Sequence, residues 1–425
     1  MPERLTTNQI RGFWAAWTGW ALDGMDSFLY ALVLVPALRD LLPRSGIAAT
    51  QANIGYYGGV LFAIFLLGWG FAFLWGPLAD RFGRIRALVL TIICYSLFTF
   101  LGSAAANVWQ LAAFRFLAGI GIGGEWTIGG VFVAEEWPES RRKNGAAWMH
   151  TGYYFGTFLA AIVNYTVGSH YGWRAVFAVG GAPALLVAFI RYGVRESKRW
   201  EHRAAQLEDR WTARDAFFAL FSAEYRTRTI VNASLLFISM VGLWAGSAYV
   251  PSSITYLAAH EGFTAADAGR LASWAIMLLS AGTILGCLML PALAERLGRR
   301  GALAFYFLLM FLCIALGFGW VFYRTANALP WFMACLFFLG IGGANFSVYT
   351  LWLPEQYRTE CRGSAFAFAT SSGRFLAAGI TFLVGAGVGR MHTIGTPVAL
   401  TSIAFLAGLA LLPLAVETKG KELPA

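Results

Sequence analysis

Twelve apolar stretches, each nineteen residues or longer, leave this 425-residue chain few ways to fold. They run over 12–38, 53–79, 87–106, 108–135, 145–168, 174–192, 229–257, 268–294, 301–323, 329–353, 363–388 and 395–416. A helix rises about 1.5 Å per residue, so roughly twenty apolar residues cross a bilayer core of about 30 Å. Within lipid, every backbone N–H and C=O needs a partner, and a helix supplies them from its own segment. The expectation is an all-α integral membrane protein with twelve transmembrane helices. Composition agrees: 58% of residues are hydrophobic and 13% charged, too little charge to cover a soluble surface of this size.

The charge that remains is placed unevenly. An even number of spans puts both termini on one side of the membrane. If that side is the cytoplasm, 24 of the 32 Lys and Arg residues fall on it. The opposite loops hold six (Arg39, Arg44, Arg174, Arg270, Arg324 and Arg390), and two, Arg115 and Arg374, lie within spans. This asymmetry follows the positive-inside rule and predicts a multi-pass plasma membrane protein with both termini cytoplasmic. It also accounts for the net charge of +10 without nucleic acid as a partner. The five cysteines are scattered, with no disulfide framework or metal spacing, and no cofactor is expected. The short polar segment before the first span lacks a small-residue cleavage pattern and reads as a retained tail.

The longest interruption, 193–228, is rich in Arg, Lys and Glu. Trp200, Ala204, Leu207 and Trp211 recur there at helical spacing, which predicts an amphipathic helix on the membrane surface. It divides the chain into residues 1–192 and 229–425, six spans each. The halves echo each other. The loop after the second span reads Gly-Pro-Leu-Ala-Asp-Arg-Phe-Gly-Arg-Ile-Arg from Gly76 to Arg86, and the loop after the eighth reads Pro-Ala-Leu-Ala-Glu-Arg-Leu-Gly-Arg-Arg from Pro291 to Arg300. A looser echo joins Glu136, Pro138, Arg141, Arg142 and Gly145 to Pro354, Glu355, Arg358, Arg362 and Gly363.

On these residues the whole chain resembles a major facilitator superfamily transporter, which implies two pseudo-symmetric six-helix bundles. Gly76, Asp80, Arg81, Gly83, Arg84 and Arg86 match the superfamily's loop signature, a charge-and-dipole latch between neighbouring helices. Glu295 and Arg296 form a degenerate second copy, with Pro291 where the glycine belongs, and Glu136 and Glu355 sit in the looser echo of the same device. Arg115, Gly119, Gly121, Gly123, Gly124 and Glu125, followed by Glu135-Glu136-Trp137-Pro138, resemble the span-four pattern of sugar and metabolite:proton symporters. Arg195-Glu196-Ser197-Lys198-Arg199-Trp200 and Glu417-Thr418-Lys419-Gly420 resemble marks of sugar porters. Asp23-Gly24-Met25-Asp26 in span one points instead to the sialate, monocarboxylate and aromatic-acid branches.

The charges inside spans are the candidates for chemistry. Asp23 and Asp26 are the only charges between Gly12 and Leu38 and, three residues apart, share a helix face. Carboxylates at mid-span cost roughly 2.5–3.5 kcal/mol each on insertion scales, so their presence needs a reason. Counting residues from the span ends places Asp23, Asp26, Glu125 and Arg374 near the bilayer midplane, where such transporters bind substrate. Asp26 leads as proton carrier, with Asp23 and Glu125 beside it; the competing reading is structural pairing. Arg374 leads as ligand for an anion, because its planar fork suits a carboxylate; the competing reading is an ion pair, with Asp26 as a partner. Arg115 belongs to span-four architecture. Asn345, Tyr349, Tyr154 and Asn164 are further candidates for lining the cavity, while His150 reads as packing.

The expected function is proton-coupled symport of a small organic anion by alternating access, in a monomer whose partners are substrate, protons and lipid. A proton-coupled sugar or polyol porter is the alternative. A membrane receptor is disfavoured because no loop could form a signalling domain, and an enzyme because no nucleophile or metal motif is present.

Overall fold

The computed structural model describes residues 5–182, 193–207 and 212–424. Among them every regular element is helical. Helix α1 spans Thr7–Arg44 and opens on a capping box, in which the Thr6 hydroxyl accepts from the Gln9 N–H and the Gln9 side chain accepts from the Thr6 N–H. The second span is α2 (Gln51–Gly70), a tight turn over Phe71–Leu74, and α3 (Trp75–Phe82). Then come α4 (Arg84–Gly102), α5 (Val108–Glu136), α6 (Glu139–Val163) and α7 (Ser169–Val179). Gly172 breaks α7 at φ 76°, a left-handed conformation that glycine adopts freely, so the sixth span begins beyond it. Residues 183–192 of that span lie outside the described residues.

The connecting segment holds α8 (Lys198–Leu207) and α9 (Ala213–Ala219). The amphipathic reading differs in its target at Trp200. The indole N–H donates to the Asp80 carbonyl at 2.8 Å, because a half-buried indole needs an acceptor that lipid cannot offer. Trp211 falls outside the described residues.

The later spans are α10 (Arg226–Ala248) with α11 (Val250–His260), then α12 (Ala265–Gly319), α13 (Ala328–Gly343) with α14 (Asn345–Trp352), α15 (Arg362–Met391), and α16 (Gly395–Leu400) with α17 (Ile403–Leu411). α12 holds two spans that continue through a break at Gly298, φ 76°, where the sequence places a loop. Six described helices are long and apolar enough to cross a membrane, and α1, bent by 47°, makes a seventh if its two parts are taken as one span. α6 and α15 are not among them. α6 carries the polar His150, Tyr153 and Tyr154.

The chain forms two compact units. Unit 1 comprises Met1–Arg226, Leu353–Phe375 and Glu422–Ala425; unit 2 comprises Thr227–Trp352 and Leu376–Lys421. In unit 1, α1 packs on α5 and α6, and α5 packs on α2 and α4. Glycines permit this closeness: a Cβ on Gly119 would stand 2.5 Å from the Phe65 carbonyl oxygen, and one on Gly152 would stand 2.7 Å from the Trp17 carbonyl oxygen. In unit 2, α12 packs on α11, α13 and α16.

Candidate functional site

Two sets of buried charges occupy unit 1, and they differ in how far their hydrogen bonds are satisfied. The mid-span set consists of Asp23 and Asp26 on α1, Arg115 and Glu125 on α5, and Arg374 on α15. The first four are 0% exposed and Arg374 is 3% exposed.

Asp26 has a full partner. Its Oδ2 accepts from Arg115 Nη2 at 3.2 Å and its Oδ1 from Nη1 at 3.4 Å, a fork-on-fork pair. The Arg115 guanidinium also lies 4.5 Å from the Tyr30 ring centroid and 4.7 Å from that of Phe65. The span-four arginine therefore reaches the site, and the Asp26 partner foreseen for Arg374 is Arg115 instead.

Asp23 has no such partner. Neither carboxylate oxygen makes a hydrogen bond among the described residues, although the side chain is fully buried. Its electrostatic neighbours are Glu125, Asp26 and Arg374. Glu125 is nearly as bare: Oε1 accepts a long bond, 3.4 Å, from the Thr91 hydroxyl, and Oε2 has no partner among the described residues. Gly19, one turn before Asp23, leaves room for that carboxylate, since any side chain there would overlap Oε2.

Arg374 donates from Nη1 to the Thr370 carbonyl at 2.8 Å, and its guanidinium carbon stands 4.4 Å from the Trp69 ring centroid. An aromatic group adjoins the set: Trp20 stacks on Trp126 at 5.7 Å and meets Tyr153 at 4.8 Å, and His150 lies 5.5 Å from Trp126. His150 thus packs among rings. Tyr154, half-buried, lies edge-on to Tyr153 at 5.7 Å. Asn164 begins the wide helical turn Asn164–Gly168 at the end of α6. Unit 2 contains Tyr349, whose hydroxyl shares a 2.9 Å hydrogen bond with Ser239, and Asn345, whose Nδ2 donates to the Gly342 carbonyl at 2.9 Å. Both are fully buried.

The second set, at the α3–α4 turn, is densely bonded. Asp80 accepts at Oδ1 from the Gly363 N–H at 3.0 Å and at Oδ2 from the N–H and hydroxyl of Ser364, each at 2.7 Å. These are free donors of the first turn of α15, where the helix dipole favours a carboxylate. Arg84 donates to Asp80 Oδ1 at 2.9 Å, to both oxygens of Glu135, and to the Thr359 carbonyl. Glu135 also accepts from Arg362 at 2.7 Å and from the Ser197 hydroxyl at 2.7 Å. Gly76 permits the approach, since a Cβ there would stand 2.6 Å from the Gly363 carbonyl oxygen. Arg81 is half-buried, 6.0 Å from the Phe82 ring centroid, and Arg86 is exposed. Glu136 accepts from the Lys198 N–H at 2.8 Å, and Glu355 lies 4.0 Å from Arg142.

Sequence reasoning named Asp80 and Arg84 for the latch, chose Glu136 beside Glu135, and did not include Glu135, Arg362 or Ser364. Glu135 and Glu136 are adjacent and alike in sequence; only the helical rotation that buries one of them separates their roles. In unit 2 the corresponding Glu295 and Arg296 are exposed.

Each unit also uses one glutamate to cap a turn. Glu196 accepts from the N–H groups of Arg84 and Ile85 at 2.9 and 3.0 Å, beside Gly83 at φ 108°. Glu417 accepts from those of Arg299 and Arg300 at 3.0 and 3.1 Å, beside Gly298. Burial raises the Glu196 carboxyl above the ordinary glutamate range despite these donors. At Glu417 burial pulls the same way, but the N–H groups of Arg299, Arg300, Lys419 and Thr418 outweigh it and hold the carboxyl below that range.

A helical membrane protein with paired charged turns and a buried mid-span charge cluster has the form of a secondary transporter. Residues 16–382 match the Major Facilitator Superfamily model. A probable 4-methylmuconolactone transporter of Cupriavidus pinatubonensis is 30% identical across 97% of this chain and 91% of its own length. The sialic acid transporter NanX of Escherichia coli is 25% identical, covering 96% of this chain and 95% of its own. Among solved structures, the proton:xylose symporter XylE superposes with a TM-score of 0.79 at 19% identity, covering 98% of each chain. The chain belongs to the major facilitator superfamily. Its fold is the twelve-helix arrangement of two pseudo-symmetric six-helix bundles, and its class is transporter rather than enzyme.

Proposed function

We propose that this transporter moves a small organic anion, a carboxylate, together with one or more protons. The observation that carries the reading is Asp23: a fully buried carboxylate with both oxygens unpartnered among the described residues, with Arg374 among the charges that act on it. A buried carboxylate without donors favours the protonated form, and a buried guanidinium that makes one hydrogen bond among the described residues favours an anion. Binding a proton at Asp23 and a carboxylate at Arg374 satisfies both. The co-transported proton also cancels the cost of moving an anion against an inside-negative potential, about 2.3 kcal/mol per charge per 100 mV.

In this reading Asp23 is the principal proton carrier and Glu125 a second. Asp26, tied to Arg115, links α1 to α5 and responds to their charge. Asn345, Tyr349, Tyr154 and Asn164 remain candidates for substrate contact. The network of Asp80, Arg84, Glu135, Arg362 and Ser364 holds one state of an alternating-access cycle. Its moving parts are the halves 1–192 and 229–425, joined by 193–228, with both termini cytoplasmic and the protein a monomer. The relatives support the anion class through their names, which include sialic acid and niacin transporters. The sugar-porter marks lend the sugar alternative little, since Glu196 and Glu417 act as caps on helix turns.

Uptake into proteoliposomes tests this. Nicotinate, cis,cis-muconate, N-acetylneuraminate and xylose are offered with and without an inwardly directed proton gradient. Gradient-stimulated uptake of one or more acids, lost in Arg374→Ala, is the expected result. Uptake of xylose alone would sink the proposal.

A further inference from the structure

Both buried arginines of the mid-span set need compensation for leaving water, and they find it differently. Arg115 turns its two Nη groups to Asp26, while its Nε–H has no partner among the described residues. Arg374 makes one hydrogen bond among the described residues, to the Thr370 carbonyl of its own helix, and rests its face on Trp69. This difference is chemical. A carboxylate occupies the edge of a guanidinium, whereas an aromatic face attracts the cation through its quadrupole and leaves the edge free. A guanidinium stacked on indole can remain charged, buried and open to a further anion.

We infer that Trp69 is a positioning residue that holds Arg374 ready for the substrate carboxylate, with Gly123 providing the space the indole occupies. Trp69 is buried, 5% exposed, and packs on Phe65 at 5.8 Å. A Cβ on Gly123 would stand 2.5 Å from Trp69 Cδ1 and 2.9 Å from Nε1, so a side chain at 123 pushes the platform out of place. Gly119 and Gly121 of α5 lie against neighbouring backbone, whereas Gly123 faces the indole and the Ala72 methyl. The assignment rests on Arg374 as the anion ligand.

The test replaces Trp69 with tryptophans of increasing ring fluorination, which preserve shape while draining the negative face. Affinity is read by equilibrium binding of the acid found to be transported, to purified full-length protein. The logarithm of Kd should rise steadily with fluorination, reaching roughly 10–30-fold at full substitution, while transport rate at saturating substrate changes much less. Trp69→Phe, with a weaker face, should fall between wild type and Trp69→Leu, and Gly123→Ala should weaken binding in the same direction. A flat fluorination series, with Arg374→Ala still abolishing binding, would overturn the Trp69 assignment alone. Binding that survives Arg374→Ala would overturn the anion-ligand reading beneath it.

Discussion

The network around Glu135 and the cluster around Asp23 are built from the same residue types, in the same unit, at similar burial. Around Glu135, two arginines and a serine hydroxyl meet one carboxylate, and Asp80 fills its oxygens from the start of α15. Around Asp23, three carboxylates face two arginines, and among the described residues only Asp26 and Arg115 form an ion pair. Buried polar groups are ordinarily satisfied, because an orphan costs about 1–3 kcal/mol and more when charged. On the proposed reading, the unsatisfied mid-span set takes the ligand and the proton, and the bonded set serves structure. Within the mid-span set, Arg115 is ion-paired with Asp26, whereas Arg374 rests on the Trp69 ring.

The comparison can be broken at its satisfied end first. Glu135→Gln leaves Arg84 and Arg362 without their shared anion and should cost roughly 3–5 kcal/mol of stability, the usual penalty for removing one member of a buried pair. A thermal-shift measurement without substrate should show a large fall in Tm, and an unchanged Tm would erase the distinction. At the unsatisfied end, Arg374→Ala should leave Tm nearly intact, or raise it, while reducing acid binding by on the order of 100-fold or more. A parallel loss of Tm and binding would make Arg374 a structural residue. Asp23→Asn should remove most of the pH dependence of binding. In the wild type, one linked proton makes affinity rise by up to about tenfold per pH unit of acidification, and the variant should keep only the shallower dependence that Glu125 supplies. The smallest effect concerns the caps. Glu417→Gln should cost roughly 0.5–2 kcal/mol at neutral pH. The Glu417 carboxyl is held below its ordinary range in the fold, so its stabilisation is present above that range and fades as pH falls through the depressed value. The Tm deficit of the variant should therefore shrink in acid. Glu196, raised by burial, should show the opposite slope.

Much of this was legible from sequence for identifiable reasons. The helices follow from apolar run length, and the turns at Gly83 and Gly298 follow from the repeated Asp/Glu-Arg-x-Gly-Arg pattern. The mid-span charges could be found because each is costly in lipid. Pairing was the part that could not be read. Depth counted along separate helices placed Asp26 and Arg374 at similar levels and Arg115 further out, but an arginine side chain reaches far along its helix, and Arg115 arrives at Asp26. Rotation about the helix axis, which buries Glu135 and turns Glu136 toward Lys198, is likewise invisible without packing. Trp69 is one of 17 tryptophans, and nothing but the guanidinium above it marks it out.

The central claim is that the bare carboxylate takes up the proton when the anion binds. It is tested most directly by proton uptake in weakly buffered solution, followed with a pH indicator as a saturating transported acid is added to purified protein. The account predicts net proton uptake in wild type, little or none in Asp23→Asn despite retained acid binding, and none with xylose. Proton uptake that persists in Asp23→Asn but disappears in Asp26→Asn would contradict it, moving the carrier to the paired aspartate.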